Sequence, residues 1–249
     1  MAETLSLRAK IEQSPMGAYQ WMIVAMAAIM NLLDGFDVLA LAFTATAIQN
    51  EFGLTRIELG YLLSAGLFGM AAGSLFLAPL ADKIGRRPLL LMAVLLSTIG
   101  MLGSAFISQY QWLGFWRVIT GFGVGGILVG TNVITSEYSS RKWRSFAISV
   151  YAAGFGVGAV LGGMFAVMLQ GEYGWRSVFL AGAILTGLFL VLLFIWLPES
   201  IDFLTTKQPK NAEVRLNLIA KKIGLAGDWK LPAKTEKVKT KLPISQLFS

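Results

Sequence analysis

The sequence predicts an all-α membrane protein with six transmembrane helices, and three observations predict it. The 249 residues are 55% hydrophobic and only 14% charged, where a soluble domain carries nearer a quarter charged residues. Mean hydropathy is +0.65. Long runs free of Asp, Glu, Lys and Arg recur, among them 88–116 and 145–171, and about 20 apolar residues are enough for a helix to cross a hydrocarbon core.

The first span, 20–48, is too long for the apolar region of a signal peptide. No small-residue cleavage pattern followed by a soluble domain succeeds it, so it reads as a retained helix. The second, 58–81, carries the small residues Gly66, Gly69 and Gly73. The third, 88–108, is plainly lipophilic (LLLMAVLL), and the fourth, 111–136, holds Arg117. In the fifth, 146–170, Gly154, Gly158 and Gly162 recur every four residues, with Gly163 beside the last. They share one helix face and let a neighbouring backbone approach closely. The sixth, 177–197, is lipophilic again (LFLVLLFIW). Each triplet thus runs in the order charged span, small-residue span, lipophilic span. With an odd number of helices per unit the two triplets insert in opposite senses, the pattern of a 3+3 inverted repeat in secondary transporters.

The flanks complete the organisation: a cytoplasmic N-terminal segment (1–19), the six-helix unit (20–199) and a basic soluble tail (200–249). Positive residues set topology. Arg8 and Lys10, then Lys83, Arg86 and Arg87, then Arg141, Lys142 and Arg144, and ten Lys/Arg in the tail fall on one side, against Arg56 and Arg176 on the other. Both termini are therefore expected in the cytoplasm. The tail's ten cations face four acids, which accounts for most of the chain's +7. Beside six spans this reads as a segment lying near anionic lipid rather than a nucleic-acid site. Within it, 212–224 shows helical periodicity (Val214, Leu216, Leu218, Ile219, Ile223) ending at Gly224, and a Lys-rich linker broken by Pro232 and Pro243 follows.

There is no cysteine and no histidine. Disulfides and thiolate or imidazole metal sites are excluded, and any proton relay must use carboxylates. No nucleophile–base pair, phosphate loop or metal cluster is evident, which argues against an enzyme. Residues 21–50 nonetheless hold two acids, Asp34 and Asp37, and no other charge. At i, i+3 they fall on roughly one helical face, with Gly35 between them to loosen the helix. Burial and mutual repulsion favour the protonated form of one member of such a pair, so they are candidates for proton coupling and for substrate binding. The alternative is a structural acid tied to the backbone or to Arg117. Arg117 itself costs at least about 2.5–3.5 kcal/mol at a helix centre. It is a candidate for holding a substrate carboxylate bidentately, for pairing with an acid of the first span, or for snorkelling outward.

Several motifs together carry a family resemblance. LADKIGRRP (Leu80–Pro88) resembles the signature cytoplasmic loop of the major facilitator superfamily through Asp82, Gly85, Arg86 and Arg87, although Ala78 stands where that loop has a glycine. RVITGFGVGG (Arg117–Gly126) resembles the family's fourth helix, and Glu137 and Arg144 in SEYSSRKWR its charged end. GWRSVF and LPES also stand at family positions. Gly158-Ala159 replaces the Gly-Pro of exporter-type members, which favours uptake. NLLDGFD (Asn31–Asp37), followed by Thr44 and Thr46, is similar to the first helix of the aromatic acid:H+ symporters, importers of benzoate, 4-hydroxybenzoate, protocatechuate or muconate.

The resemblance implies a twelve-helix fold of which this sequence is the N-terminal half, with 200–249 as the central loop short of span seven and a C-terminal six-helix half as partner. It implies a bacterial inner-membrane carrier of a small organic acid, with no cofactor and the proton as coupling ion. Asp34, Asp37 and Arg117 would serve transport, and Asp82, Gly85, Arg86, Arg87, Glu137 and Arg144 would serve gating. Gly154, Gly158, Gly162 and Gly163 would serve packing. The residues leave open another carrier of the superfamily, for a sugar, dicarboxylate or drug, and a half-protein without transport of its own.

Overall fold

The computed structural model describes residues 6–232. Residues 1–5 and 233–249, with the lysines from Lys234 on and the approach to a seventh span, lie outside the described residues. All regular structure among the described residues is helical: α1 (Leu7–Gln13), α2 (Ala18–Phe52), α3 (Arg56–Ile84), α4 (Arg86–Ala105), α5 (Tyr110–Tyr138), α6 (Arg144–Tyr173), α7 (Trp175–Trp196), α8 (Ile201–Lys207) and α9 (Ala212–Ile223). Helices α2 to α7 are long and apolar enough to span a membrane, and they match the six expected spans to within a few residues. At 1.5 Å per residue the 35 residues of α2 rise about 52 Å, well beyond a hydrocarbon core.

Local chemistry sets the boundaries. Gly53 ends α2 in the left-handed conformation (φ 62°). Two residues on, Thr55 opens α3 with a capping box, its own N–H donating to Glu58 Oε2 at 2.8 Å and its hydroxyl accepting from the Glu58 N–H. Ser200 caps α8 by accepting from the Phe203 N–H.

Helix α2 packs chiefly on α6, and α5 on α3. Exchanging the two triplets turns the first pair into the second, so the packing realises the inverted repeat. Both contacts are glycine seams. A methyl on Gly154 or Gly158 would land on the carbonyl oxygens of Ala28 and Leu32, and one on Gly69 or Gly73 on those of Val118 and Phe122. Gly162 and Gly163 instead make room for the rings of Phe36 and Phe43. Gly35 does not interrupt α2, which runs helical through it. It belongs to the same seam, where a methyl would meet the Phe155 carbonyl. The outer faces of α3 and α6 stay apolar and exposed, with Tyr61, Phe68, Phe76, Val160, Met164 and Met168 outward.

The periodic stretch 212–224 folds as α9, capped by Gly224, and both flanks dock on the bundle. Leu7 and Ile11 of α1, Ile201 and Leu204 of α8, and Leu216 and Ile219 of α9 are buried in one cluster with Ile23, Tyr138, Leu193 and Leu197 at the end of the bundle that carries both flanks. This is the basic end. Val214 and Leu218, counted in the expected periodic face of α9, are exposed. A helix buries one stripe, and here that stripe is Ala212, Leu216, Ile219 and Ala220.

Candidate functional site

Asp34 and Asp37 lie one turn apart on α2 and are 2% and 1% exposed, while Arg117 of α5 is 3% exposed. Snorkelling is thereby excluded. The guanidinium turns inward, where Nη1 donates to Asp37 Oδ1 at 2.9 Å and Nη2 to the Asp37 backbone carbonyl at 2.8 Å. Ser97 of α4 donates to the other carboxylate oxygen, Oδ2, at 2.6 Å. Asp37 is thus held by α4 and α5 at once. The cation also stands over the Phe179 ring of α7, 5.9 Å from its centroid.

Gly66 of α3 lies beside the guanidinium, where a methyl would make ordinary contact, 3.6 Å from Nη2 and 3.8 Å from Nε. On that side Nε has no hydrogen-bond partner. A cavity of about 140 Å³ opens here between α2, α3 and α5, walled by Val38, Leu41, Leu63, Gly66 and Met70, with Arg117 as its one charged lining residue.

Asp34 has a different environment. Its Oδ2 is buried without a hydrogen-bond partner. One turn back, Asn31 Nδ2 donates to the Tyr151 carbonyl of α6 at 2.8 Å, and its Oδ1 is likewise unpartnered. The Tyr151 hydroxyl lies 3.2 Å from Thr131 Oγ1 of α5. The two acids therefore share a helix face but not a set of partners.

At the basic end the expected gating residues divide. Asp82 and Arg86 pair at 2.6 Å, one turn apart. Gly85 has φ +105°, and a methyl on it would collide with the Glu199 carboxylate, so glycine is required both for the backbone and for the acid beside it. Glu199 Oε1 accepts from the N–H groups of Arg86, Arg87 and Ser200 at 2.8, 3.1 and 2.9 Å, serving as an anionic cap on the N-terminus of α4. The Arg87 side chain donates to the Phe194 carbonyl at 2.6 Å. Glu137 accepts from Ser200 Oγ and the Ile201 N–H, both at 2.9 Å. Arg144 donates to Glu12 of α1 at 2.6 Å. The reason is that α1 docks next to the α5–α6 loop, where the Arg141 N–H also donates to the Glu12 carbonyl at 3.0 Å. The Arg144 hydrogen bond holds the Glu12 carboxyl below its usual range. Arg8 bridges Glu12 and Asp202.

At the opposite end, the Trp and Arg of GWRSVF clamp α2 to α7. Trp175 Nε1 donates to Glu51 at 2.6 Å and Arg176 at 2.9 Å, and Arg176 also reaches the Ile107 carbonyl at 3.1 Å.

Sequence reasoning missed Ser97, Glu12 and the role of Glu199. Ser97 stands beside Thr98 in a mostly apolar run and gave no signal. Glu199 stands in a motif, LPES, whose partner Gly85 lies more than a hundred residues away.

A bundle of six spans in inverted repeat, with a buried acid–base pair between its helices, defines the class: the six-helix fold unit of secondary carriers. The family model of the Major Facilitator Superfamily matches residues 27–247, and the chain belongs to that superfamily. It is 34% identical to a gallate transporter of Pseudomonas putida over 96% of this chain and 53% of that protein. It is also 34% identical to the 4-hydroxybenzoate transporter PcaK of the same species, over 88% of this chain and 49% of that protein. Among solved structures, the xylose transporter XylE from E. coli, in a partially occluded inward-open conformation, superposes with a TM-score of 0.72 at 23% identity. That match covers 81% of this chain and 55% of XylE. The chain spans about half the length of the curated relatives it matches.

Proposed function

We propose that the chain is the N-terminal half of a proton-coupled importer of an aromatic or related organic acid. It works by alternating access with a C-terminal six-helix half, and its basic end faces the cytoplasm of a bacterium. The observation that carries this reading is Arg117, which lines an apolar cavity and is paired with the buried Asp37, with an unpartnered Asp34 one turn away. The Arg117 Nε, which has no partner, can donate to a substrate carboxylate, and the apolar walls formed by Leu41, Leu63 and Met70 suit a ring. Intramembrane acids facing a bundle interior are the usual elements of proton relays. The names of the aromatic-acid transporters among its relatives support the substrate class.

The test is uptake of labelled gallate, 4-hydroxybenzoate and benzoate into proteoliposomes holding the chain with a complementing C-terminal half, with and without an inward proton gradient. Accumulation that a protonophore collapses is expected. Accumulation indifferent to the gradient sinks the coupling, transport of a sugar or drug in place of the acids sinks the substrate class, and equal uptake by the 249-residue chain alone sinks the need for a second half.

A further inference from the structure

The two acids of α2 invite the same role by sequence, yet their surroundings are opposite. Asp37 receives two hydrogen bonds on its carboxylate, from Arg117 at 2.9 Å and Ser97 at 2.6 Å, and a third from Arg117 on its own carbonyl. Both partners donate, and one carries a full positive charge. A carboxylate that accepts short bonds from a guanidinium and a hydroxyl is stabilised in its ionised form. Protonating it would strand the guanidinium, uncompensated, in an interior where Arg117 is 3% exposed.

Asp34 has none of this. Its Oδ2 is buried without a donor, and the charged or titratable groups around it are few. Asp37 stands on the same helix, already committed to Arg117 of α5, and Tyr151 lies within electrostatic range from α6. Among the described residues, α3, α4, α7 and α9 bring no charged side chain to either acid. An isolated ionised carboxylate in such a place is costly, whereas the neutral acid is accommodated.

We propose that the proton of the transport cycle is carried by Asp34 alone, and that Ser97 is a positioning residue that, with Arg117, locks Asp37 as a permanently charged counter-ion. This rests on the proton-coupled reading above but assigns the two acids separate work. The arrangement gives Ser97 a role within α4: it donates to Oδ2 of Asp37 while Arg117 donates to Oδ1, so that both oxygens of the charged carboxylate are held. When a proton arrives at Asp34 its carboxyl becomes neutral and the charge count of the site rises by one, while the Asp37–Arg117 pair is undisturbed. Release of the proton restores the earlier state, and no other bond is made or broken.

The test reads the acids directly in the reconstituted 249-residue chain, through the infrared carbonyl stretch that only a protonated carboxyl shows, followed from pH 8 down to pH 4. A buried protonated-carboxyl band near neutral pH is expected in the unaltered chain and is expected to vanish in Asp34→Asn. In Ser97→Ala a second band, from Asp37, should emerge at a pH higher by about one to two units than in the unaltered chain, the loss of one hydrogen bond to a charged group. Ser97→Thr, which keeps the hydroxyl, should return it. Unchanged helical circular dichroism in all three variants shows that they are folded. Survival of the neutral-pH band in Asp34→Asn, its absence from the unaltered chain, or a Ser97→Ala titration identical to the parent each overturns the assignment. No substrate is present in this measurement. A failure here is therefore distinct from a failure of the uptake assay.

Discussion

The buried Asp37–Arg117 pair allows a quantitative test of how the bundle is held. Replacing Arg117 by Met removes the cation from a site where its partner is 1% exposed, leaving Asp37 with the Ser97 hydroxyl as its only side-chain donor. Breaking a buried pair in this way costs about 3–5 kcal/mol, because an uncompensated charge remains in the interior. For chains of this length each kcal/mol moves the unfolding midpoint by about 2–4 °C, so Arg117→Met should unfold roughly 6–20 °C below the parent. Asp37→Asn should lose a comparable amount, since it strands the guanidinium. The double variant, in which both charges are gone, should lose clearly less than the two single losses together. Thermal unfolding in detergent, followed by tryptophan emission, measures all three. Single variants within ~1 kcal/mol of the parent, or losses that add in the double variant, would refute the view that these groups stabilise each other across α2 and α5.

Other perturbations address the scaffold and its basic end. Gly158→Ala places a methyl on the Leu32 carbonyl and should destabilise by about 1–3 kcal/mol. Gly156→Ala, where nothing lies within 4 Å, should be neutral or gain up to about 1 kcal/mol of helix propensity, and thermal unfolding of the two separates seam packing from glycine content. Glu199→Ala takes the acceptor from three backbone N–H groups and should cost about 1–3 kcal/mol, seen as faster amide exchange at Arg86, Arg87 and Ser200. Glu12 is held below the usual 4.5 by its Arg144 hydrogen bond, so its contribution is fully present above that value and lost as pH falls through the lowered folded-state value. Both partners are about a third exposed, which limits the effect to at most about 1 kcal/mol. Amide exchange across Leu7–Gln13 should therefore quicken between pH 6 and pH 3, and Glu12→Gln should remove that step.

The spans were legible because lipid imposes a length and a polarity on every crossing helix, and runs such as 88–116 satisfy both without reference to any other part of the chain. The glycine seams were legible in α6 for the same reason: a four-residue period is a property of one helix. Which helix fills the seam is not, and the pairing of Gly158 with Leu32 became visible only in the folded chain. The site divides likewise. Asp34, Asp37 and Arg117 stand out because charge in a membrane helix is costly wherever it lies. Ser97 does not, since a serine in a lipid-facing helix satisfies itself on its own backbone; its role depends on an acid sixty residues earlier. The partner of Arg144 was not legible either, because the amphipathic α1, with buried Leu7 and Ile11, brings Glu12 to it from more than a hundred residues away. The face of α9 was misread because twelve residues rich in apolar side chains offer two candidate stripes, and docking selects one.

The inverted repeat and the charge pattern answer to different demands, and their mismatch locates the chemistry. The seams obey the repeat: Gly154 and Gly158 against α2 correspond to Gly69 and Gly73 against α5, so the backbones of α2 and α6, and of α3 and α5, are held in contact by packing that either triplet could supply. The polar residues break it. Helix α2 brings two acids and α5 a single base, so a fully paired site must leave one carboxyl over. Had the two first helices carried one charge each, the centre would be a closed ion pair with nothing free to titrate. The surplus acid, Asp34, is the one without a donor, and it is buried between helices whose backbones are already in contact across the seam. On the assignment proposed above, the cost of a charge in that position is relieved by moving a proton rather than by parting two backbones that the seam holds together.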